Sequence, residues 1–216
     1  MTIVIDDTMT VVIVKRLCVV GEIKQRMIAH AAILLAKKGL HGASFSEVLE
    51  ASGAPRGSLY HHFPGGKDEL VLAALGLAGD QAIEVLDRLA GRPAPEVADA
   101  FIALWRSVLS RSNFGAGCAV VAAAVAAESP ILVERTAKVF RDWRLRLGRL
   151  LAEGGIPRKR AFAIATTLIA ACEGAVILAR AERTFEPFDL VAAEQLATIK
   201  AAVKASPGER HDPVGA

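Results

Sequence analysis

RGSLYHHFPGGKDEL, residues 56–70, decides how the rest of this chain is read. Its paired histidines and glycines admit a metal site or a phosphate loop, but the spacing also fits a short helix, a turn and the start of a longer helix. On a helix beginning at Pro55 and running to about Phe63, Leu59 and Phe63 stand at i and i+4 and face a small core. Arg56, Gly57, Tyr60 and His61 then share the opposite side. Pro64-Gly65-Gly66 breaks that helix, and Lys67 opens the next. The phosphate-loop spacing Gly-x4-Gly-Lys-Ser/Thr is absent. Adjacent helical residues diverge by about 100 degrees, so His61 and His62 cannot close on one ion, and neither His30 nor His41 lies four residues from them. We expect no metal and no cofactor.

Upstream, Ser44-Phe45-Ser46-Glu47 reads as a capping box, a serine N-cap with glutamate three residues on. It opens a short helix with Val48 and Leu49 inward, closed by Ser52-Gly53. From Glu22, Met27, Ala31 and Leu35 form one apolar stripe with Ile28, Ala32 and Ala36 beside it, ending at Lys37-Lys38-Gly39. Helix, short helix, tight turn and short helix is the helix-turn-helix layout. The helix from Lys67 turns Leu70, Ala74, Leu77 and Ile83 inward.

Beyond Gly91 the chain is a series of helices divided by punctuation. One runs from Pro93 and Pro95 through Trp105 to about Ser110, and Asn113-Phe114-Gly115 is a loop. Gly117 to Ala127 reads as helix from its alanines. Ser129-Pro130 opens a helix carrying Phe140, Trp143, Leu147 and Leu151 on one stripe and stopping at Gly154-Gly155. Pro157 starts a long helix to about Glu182, and Pro187 starts the last, with Val191, Ile199 and Val203 apolar. No strand pattern follows residue 20. The expected fold is all-α with about nine helices.

The composition agrees. Of 216 residues 53% are hydrophobic, largely alanine, and 5% are aromatic, which suits close-packed helices. A net charge of +3 permits a nucleic-acid partner without demanding one. Cys18, Cys118 and Cys172, odd in number and scattered, form no disulfide framework and point to a reducing, cytoplasmic setting. Asp6, Asp7, Lys15 and Arg16 interrupt the apolar patches of residues 3–20. The apolar run 162–179 carries Thr166, Thr167 and Glu173 and reads as a buried helix of a soluble bundle rather than a membrane span.

A major groove admits a helix. Arg56 and Ser58 at the start of the short helix reach bases, while Tyr60 and His61 reach phosphates. Gly57 leaves room for close approach. Lys67 and the free N–H groups of its helix can hold a phosphate, as can the Ser44 hydroxyl.

These residues resemble the TetR family of transcriptional regulators: a capped helix, a turn, a recognition helix ending in an aromatic-His-Phe run, then a lysine with an acidic neighbour. The likeness spans about 50 residues from Glu22. APRGSLYHHFPGGKDEL, with FGAGCAVVAAAVAAESP downstream, is similar to the LmrA/YxaF branch. The chain departs from the family pattern at Ala54-Pro55, where many relatives place Val-Ser, and at Phe45, which is bulkier than usual.

Residues 1–20 carry no helical periodicity and read as an arm that need not be ordered; the resemblance implies a three-helix DNA-binding domain (21–68) after it. It further implies an effector-binding and dimerisation bundle (69–205), while the Pro, Gly and charged composition of 206–216 reads as a disordered tail. The last two long helices would pair across a homodimer, with Ala165, Ala175 and Ala179 allowing close approach. A hydrophobic or aromatic effector held near Trp105, Cys118, Trp143 and Glu173 would release the repressor from a palindromic double-stranded operator. Each of these four has a plainer reading: the tryptophans as core, Cys118 as filler among alanines, Glu173 as a group facing solvent or a dimer seam. Arg141, Arg144, Arg146 and Arg149 read as a solvated face, at best a weak ion-pair network. The rival readings are a DNA-binding regulator without an effector and a small enzyme using Cys118 with a histidine. For the enzyme, only His211 lies in the C-terminal half.

Overall fold

A computed structural model describes residues 23–205. The arm 1–20 and the tail 206–216 lie outside the described residues. Among these the chain forms nine helices and no strand: α1 (Ile23–Gly42), α2 (Phe45–Ser52), α3 (Arg56–His62), α4 (Lys67–Asp87), α5 (Ala94–Arg111), α6 (Ala119–Ala124), α7 (Pro130–Glu153), α8 (Arg158–Glu182) and α9 (Glu186–Lys204).

The fold groups into two compact units. The first holds the described residues up to Ala82 together with Val108–Asp142. Within it α1 packs on α2, α3 and α6. Met27, Ala31 and Leu35 of the expected stripe are fully buried, joined by Ile28, Ala29 and Leu34. Gly39 has φ 74°, so α1 breaks there, as its sequence position suggested, before one further turn to Gly42. On α4, Leu70 and Ala74 are buried as expected, with Val71 and Leu75 in place of the half-exposed Leu77.

The second unit holds Ile83–Ser107 and the described residues from Trp143. Trp143, Leu147 and Leu151 of α7 are buried, and α8 packs along α9. Ile83 is only half-buried, and so are Val191 and Val203, which leaves Ile199 and Phe188 to anchor α9. The ends of α8 fall close to the expected ones: Pro157 is its N-cap, and Arg183 in the left-handed region closes it.

Two expectations change here. α6 is six residues long rather than spanning Gly117 to Ala127, because Cys118 becomes its N-cap and the chain turns after Ala124. Ala165, Ala175 and Ala179 are buried within the subunit and cannot meet a second copy. In the arginine cluster of α7, Arg146 makes one ion pair, its Nε donating to Asp87 at 2.6 Å.

By length and composition α8 could cross a membrane, with mean hydropathy 2.0 over its most apolar window, half of it buried. The buried half, including Ile164, Leu168, Cys172 and Val176, is the core face of a bundle helix.

Candidate nucleic-acid interface

The entry to α2 is built as its sequence suggests. Ser44, in an extended conformation, accepts the Glu47 N–H through its hydroxyl at 3.3 Å. The Glu47 carboxylate also takes the Lys38 ammonium at 2.5 Å. That hydrogen bond above all, with the lysine's charge and contributions from the Ser44 backbone and hydroxyl, holds the exposed carboxyl below its ordinary range. Gly53, at φ 64°, supplies the left-handed turn that closes α2. The buried Ser52 hydroxyl accepts the Ala54 N–H at 3.4 Å and stiffens the turn.

α3 starts at Arg56 with Pro55 as its N-cap, one residue outside the helix rather than in its first turn, and no side chain caps it. Leu59 and Phe63 are each 1% exposed. Arg56, Gly57, Tyr60 and His61 are exposed on the other side, and Ser58 is half-buried between them. The short helix therefore presents one polar and aromatic face outward while two apolar anchors hold it to the core. The His61 and His62 rings sit 4.9 Å apart, and among the described residues no cluster of metal-ligating side chains forms.

Gly57 is informative. A Cβ built there would meet nothing within 4 Å, and its φ is not positive. A glycine inside a helix costs about 1 kcal/mol relative to alanine. Neither a contact nor the backbone conformation among the described residues requires glycine there.

Lys67 opens α4 as expected, but its ammonium donates to the Leu40 carbonyl at 2.8 Å. Asp68 and Glu69 stand in the same first turn, and Glu69 accepts the Gly65 N–H at 2.8 Å. Sequence reasoning did not reach these contacts, nor the edge-on meeting of Phe45 and Tyr60, centroids 6.2 Å apart at 83°.

Of the residues expected around an effector, Trp105 and Trp143 belong to the second unit and meet edge to face, 6.4 Å apart at 66°. Phe101 packs on Trp105 in the same way. Trp105 is 6% exposed, and its indole N–H is buried without an acceptor. Glu173, buried on α8, is in the same unit. Cys118 belongs to the first unit, where its sulfur accepts the Val121 N–H at 3.4 Å. An open groove of about 480 Å³ in the second unit is lined by Pro157, Arg160, Thr198, Ala201, Ala202 and Ala205, and by none of the expected residues.

Comparison with known proteins places this geometry. Residues 27–74 match the family described as bacterial regulatory proteins, tetR family. Residues 94–194 match the LmrA/YxaF-like transcriptional regulator C-terminal domain. The chain is 38% identical over 177 residues to the HTH-type transcriptional regulator Rv0196 of Mycobacterium tuberculosis H37Rv, covering 78% of this chain and 89% of the relative. It is 27% identical over 172 residues to the HTH-type transcriptional regulator LmrA of Bacillus subtilis, covering 77% and 91%. A TetR regulator from Chloroflexus aurantiacus superposes with TM-score 0.70 at 31% identity, covering 82% of this chain and 94% of that one. One from Legionella pneumophila superposes with TM-score 0.75 at 22% identity, covering 83% and 98%, a likeness of fold. The outward face of α3, the capped α2 before it and both family matches agree: the chain belongs to the TetR family of DNA-binding transcriptional regulators, with an LmrA/YxaF-like C-terminal domain.

Proposed function

We propose that this regulator is a cytoplasmic homodimeric repressor, released from a palindromic operator by a hydrophobic or aromatic effector. Residues 21–68 bind DNA and residues 69–205 bind the effector and dimerise. The observation that carries the reading is the split of α3 with its C-cap residue, Leu59 and Phe63 buried and Arg56, Gly57, Tyr60 and His61 outward. Arg56 and Ser58 address base edges. Tyr60, His61, Ser44 and Lys67 address phosphates. Gly57 lets the helix backbone approach the groove.

The dimer reading draws support from α8. Ala163, Thr167, Ala170, Gly174, Ile177, Leu178 and Ala181 fall on one stripe, exposed or half-exposed, with Ile177 at 57% and Leu178 at 48%. Small residues at that spacing permit close helix approach, and Leu190 of α9 is exposed as well, at 67%. The effector reading draws support from the Phe101, Trp105 and Trp143 cluster and the buried Glu173, which suit a flat aromatic or partly cationic compound. An effector preferring the DNA-incompetent spacing of the two α3 helices by a few kcal/mol would empty the operator. Cys118, spent on capping α6, is read as structural rather than as a nucleophile.

Sequencing the genomic fragments that the purified protein retains tests the reading, followed by a thermal-shift screen of aromatic compounds on the same protein. Retention of a palindrome, released by a compound that raises the melting temperature, supports it. Retention with no releasing compound favours a regulator without an effector.

A further inference from the structure

We propose that Phe45 is a positioning residue for operator binding, acting by holding the Tyr60 side chain in its DNA-facing orientation. The inference rests on the reading of α3 as the DNA-contacting helix.

Tyr60 is 73% exposed, while every phenylalanine and tryptophan described is half-buried or buried. A ring so exposed samples several rotamers, and fixing one of them on DNA costs entropy. Along its own helix it has only Arg56 at i−4, since α3 ends at His62. Its restraint comes from the neighbouring element: the Phe45 ring meets it at 83° with centroids 6.2 Å apart, the edge-to-face arrangement that aromatic pairs favour.

Phe45 is itself placed firmly. It is the first residue of α2, directly after the Ser44 cap, so its backbone is set by the bond from Glu47 to the Ser44 hydroxyl. Nor is it a core residue. The helix-turn-helix core buries Val48, Leu59 and Phe63, while Phe45 remains half-exposed. A large aromatic kept at the surface, with its ring on a second exposed aromatic, serves the orientation of that neighbour. Tyr60 then presents its hydroxyl in a fixed direction for a phosphate oxygen. A tyrosine hydroxyl is neutral, so the contact adds affinity without releasing a counterion.

The test is a double-mutant cycle on one retained operator fragment, read by fluorescence anisotropy at several salt concentrations. Tyr60→Phe removes the hydroxyl and keeps the ring; Phe45→Ala removes the support. Each alone is expected to weaken binding about 5-fold, the scale of one aromatic pair or one hydrogen bond. The double variant should bind within 2-fold of Tyr60→Phe, because support without a hydroxyl has nothing to position. Phe45→Tyr should restore affinity, whereas Phe45→Leu, similar in bulk and preserving the fold, should not. The dependence of affinity on salt should stay that of the wild type throughout. Additive losses, or rescue by leucine, overturn the proposal in favour of Phe45 touching DNA or packing generally. Full affinity in Tyr60→Phe overturns it alone. If Arg56→Ala also binds unchanged, the docking of α3 itself falls.

Discussion

Lys67, the first residue of α4, donates its ammonium to the backbone carbonyl of Leu40, 27 positions earlier, at 2.8 Å. Leu40 lies one residue past the break in α1, so α4 is tied to the joint between α1 and α2 by a charge-assisted bond. An ammonium carries three donors, and two remain for a phosphate. Lys67→Met should lower stability by about 1–2 kcal/mol in urea. It should also weaken DNA binding about equally on all sequences, with the slope of log affinity against log salt reduced by about 1. A stability loss with an unchanged slope would show that the ammonium serves the tether alone.

Gly57→Ala should separate folding from function. Since a Cβ meets nothing there, alanine should raise stability by about 0.5–1 kcal/mol while weakening operator binding. Arg56→Ala should cost about 1–3 kcal/mol of operator affinity and relax preference at one base position. Stability is read by thermal melts and preference by selection from randomised operators. A stabilised Gly57→Ala with full affinity would mean that the helix does not approach the groove there.

Burial above all, reinforced by the charge of Glu173, pushes the Cys172 thiol up to about 12 from an ordinary value of 9.0. The folded chain keeps that proton where the unfolded chain loses it. The thiol therefore favours the fold fully below about pH 9, and the benefit declines as pH rises toward 12. Cys172→Ala should lose less stability across that window than the wild type, measured as the difference between their urea midpoints. Identical pH dependence would contradict the assignment.

The exposed stripe of α8 predicts that Ala170→Glu or Ile177→Glu yields monomers in sedimentation at micromolar concentration, since a buried unpaired carboxylate opposes the contact. Ile131→Glu, on an exposed site of α7, should sediment as the wild type does. A dimer that survives both α8 changes would move the interface elsewhere.

An effector that releases DNA should quench tryptophan fluorescence in the same concentration range, because one coupling free energy links the two events. Trp143→Phe should blunt the quench, and Glu173→Gln should weaken cationic compounds more than neutral ones. Release that leaves both substitutions without effect would remove the aromatic cluster from the ligand site.

Much of the fold was legible because punctuation and periodicity coincide. Ser44, Gly53 and Pro130 each sit at the helix boundary their chemistry dictates, Pro157 one residue ahead of it, and Leu59 with Phe63 fixes which side of α3 faces out. Failures occurred where composition had no direction. Alanine is indifferent to burial, so Ala165, Ala175 and Ala179 looked like a seam but belong to the core, and α6 was overextended. Long-range polar contacts such as Lys67 to Leu40, or Arg106 to Asp189, leave no periodic trace. Glu47 pairing with Lys38 was hidden for the same reason, because the two lie on different helices.

The loop before α6 carries a consequence for how the chain exchanges its amide hydrogens with water. Asn113 and Phe114 both adopt left-handed backbone, at φ 48° and 60°, a conformation that costs a non-glycine residue about 1 kcal/mol or more. Four residues after Asn113, the buried Gly117 gives its N–H to the Ala36 carbonyl of α1 at 2.8 Å. A connecting segment normally lets deuterium in within seconds, yet this amide should open only when α1 parts from α6. Its labelling rate is thus a clock for that separation, and in deuterated buffer Gly117 should fall in step with the slow amides of α1 rather than with its loop neighbours.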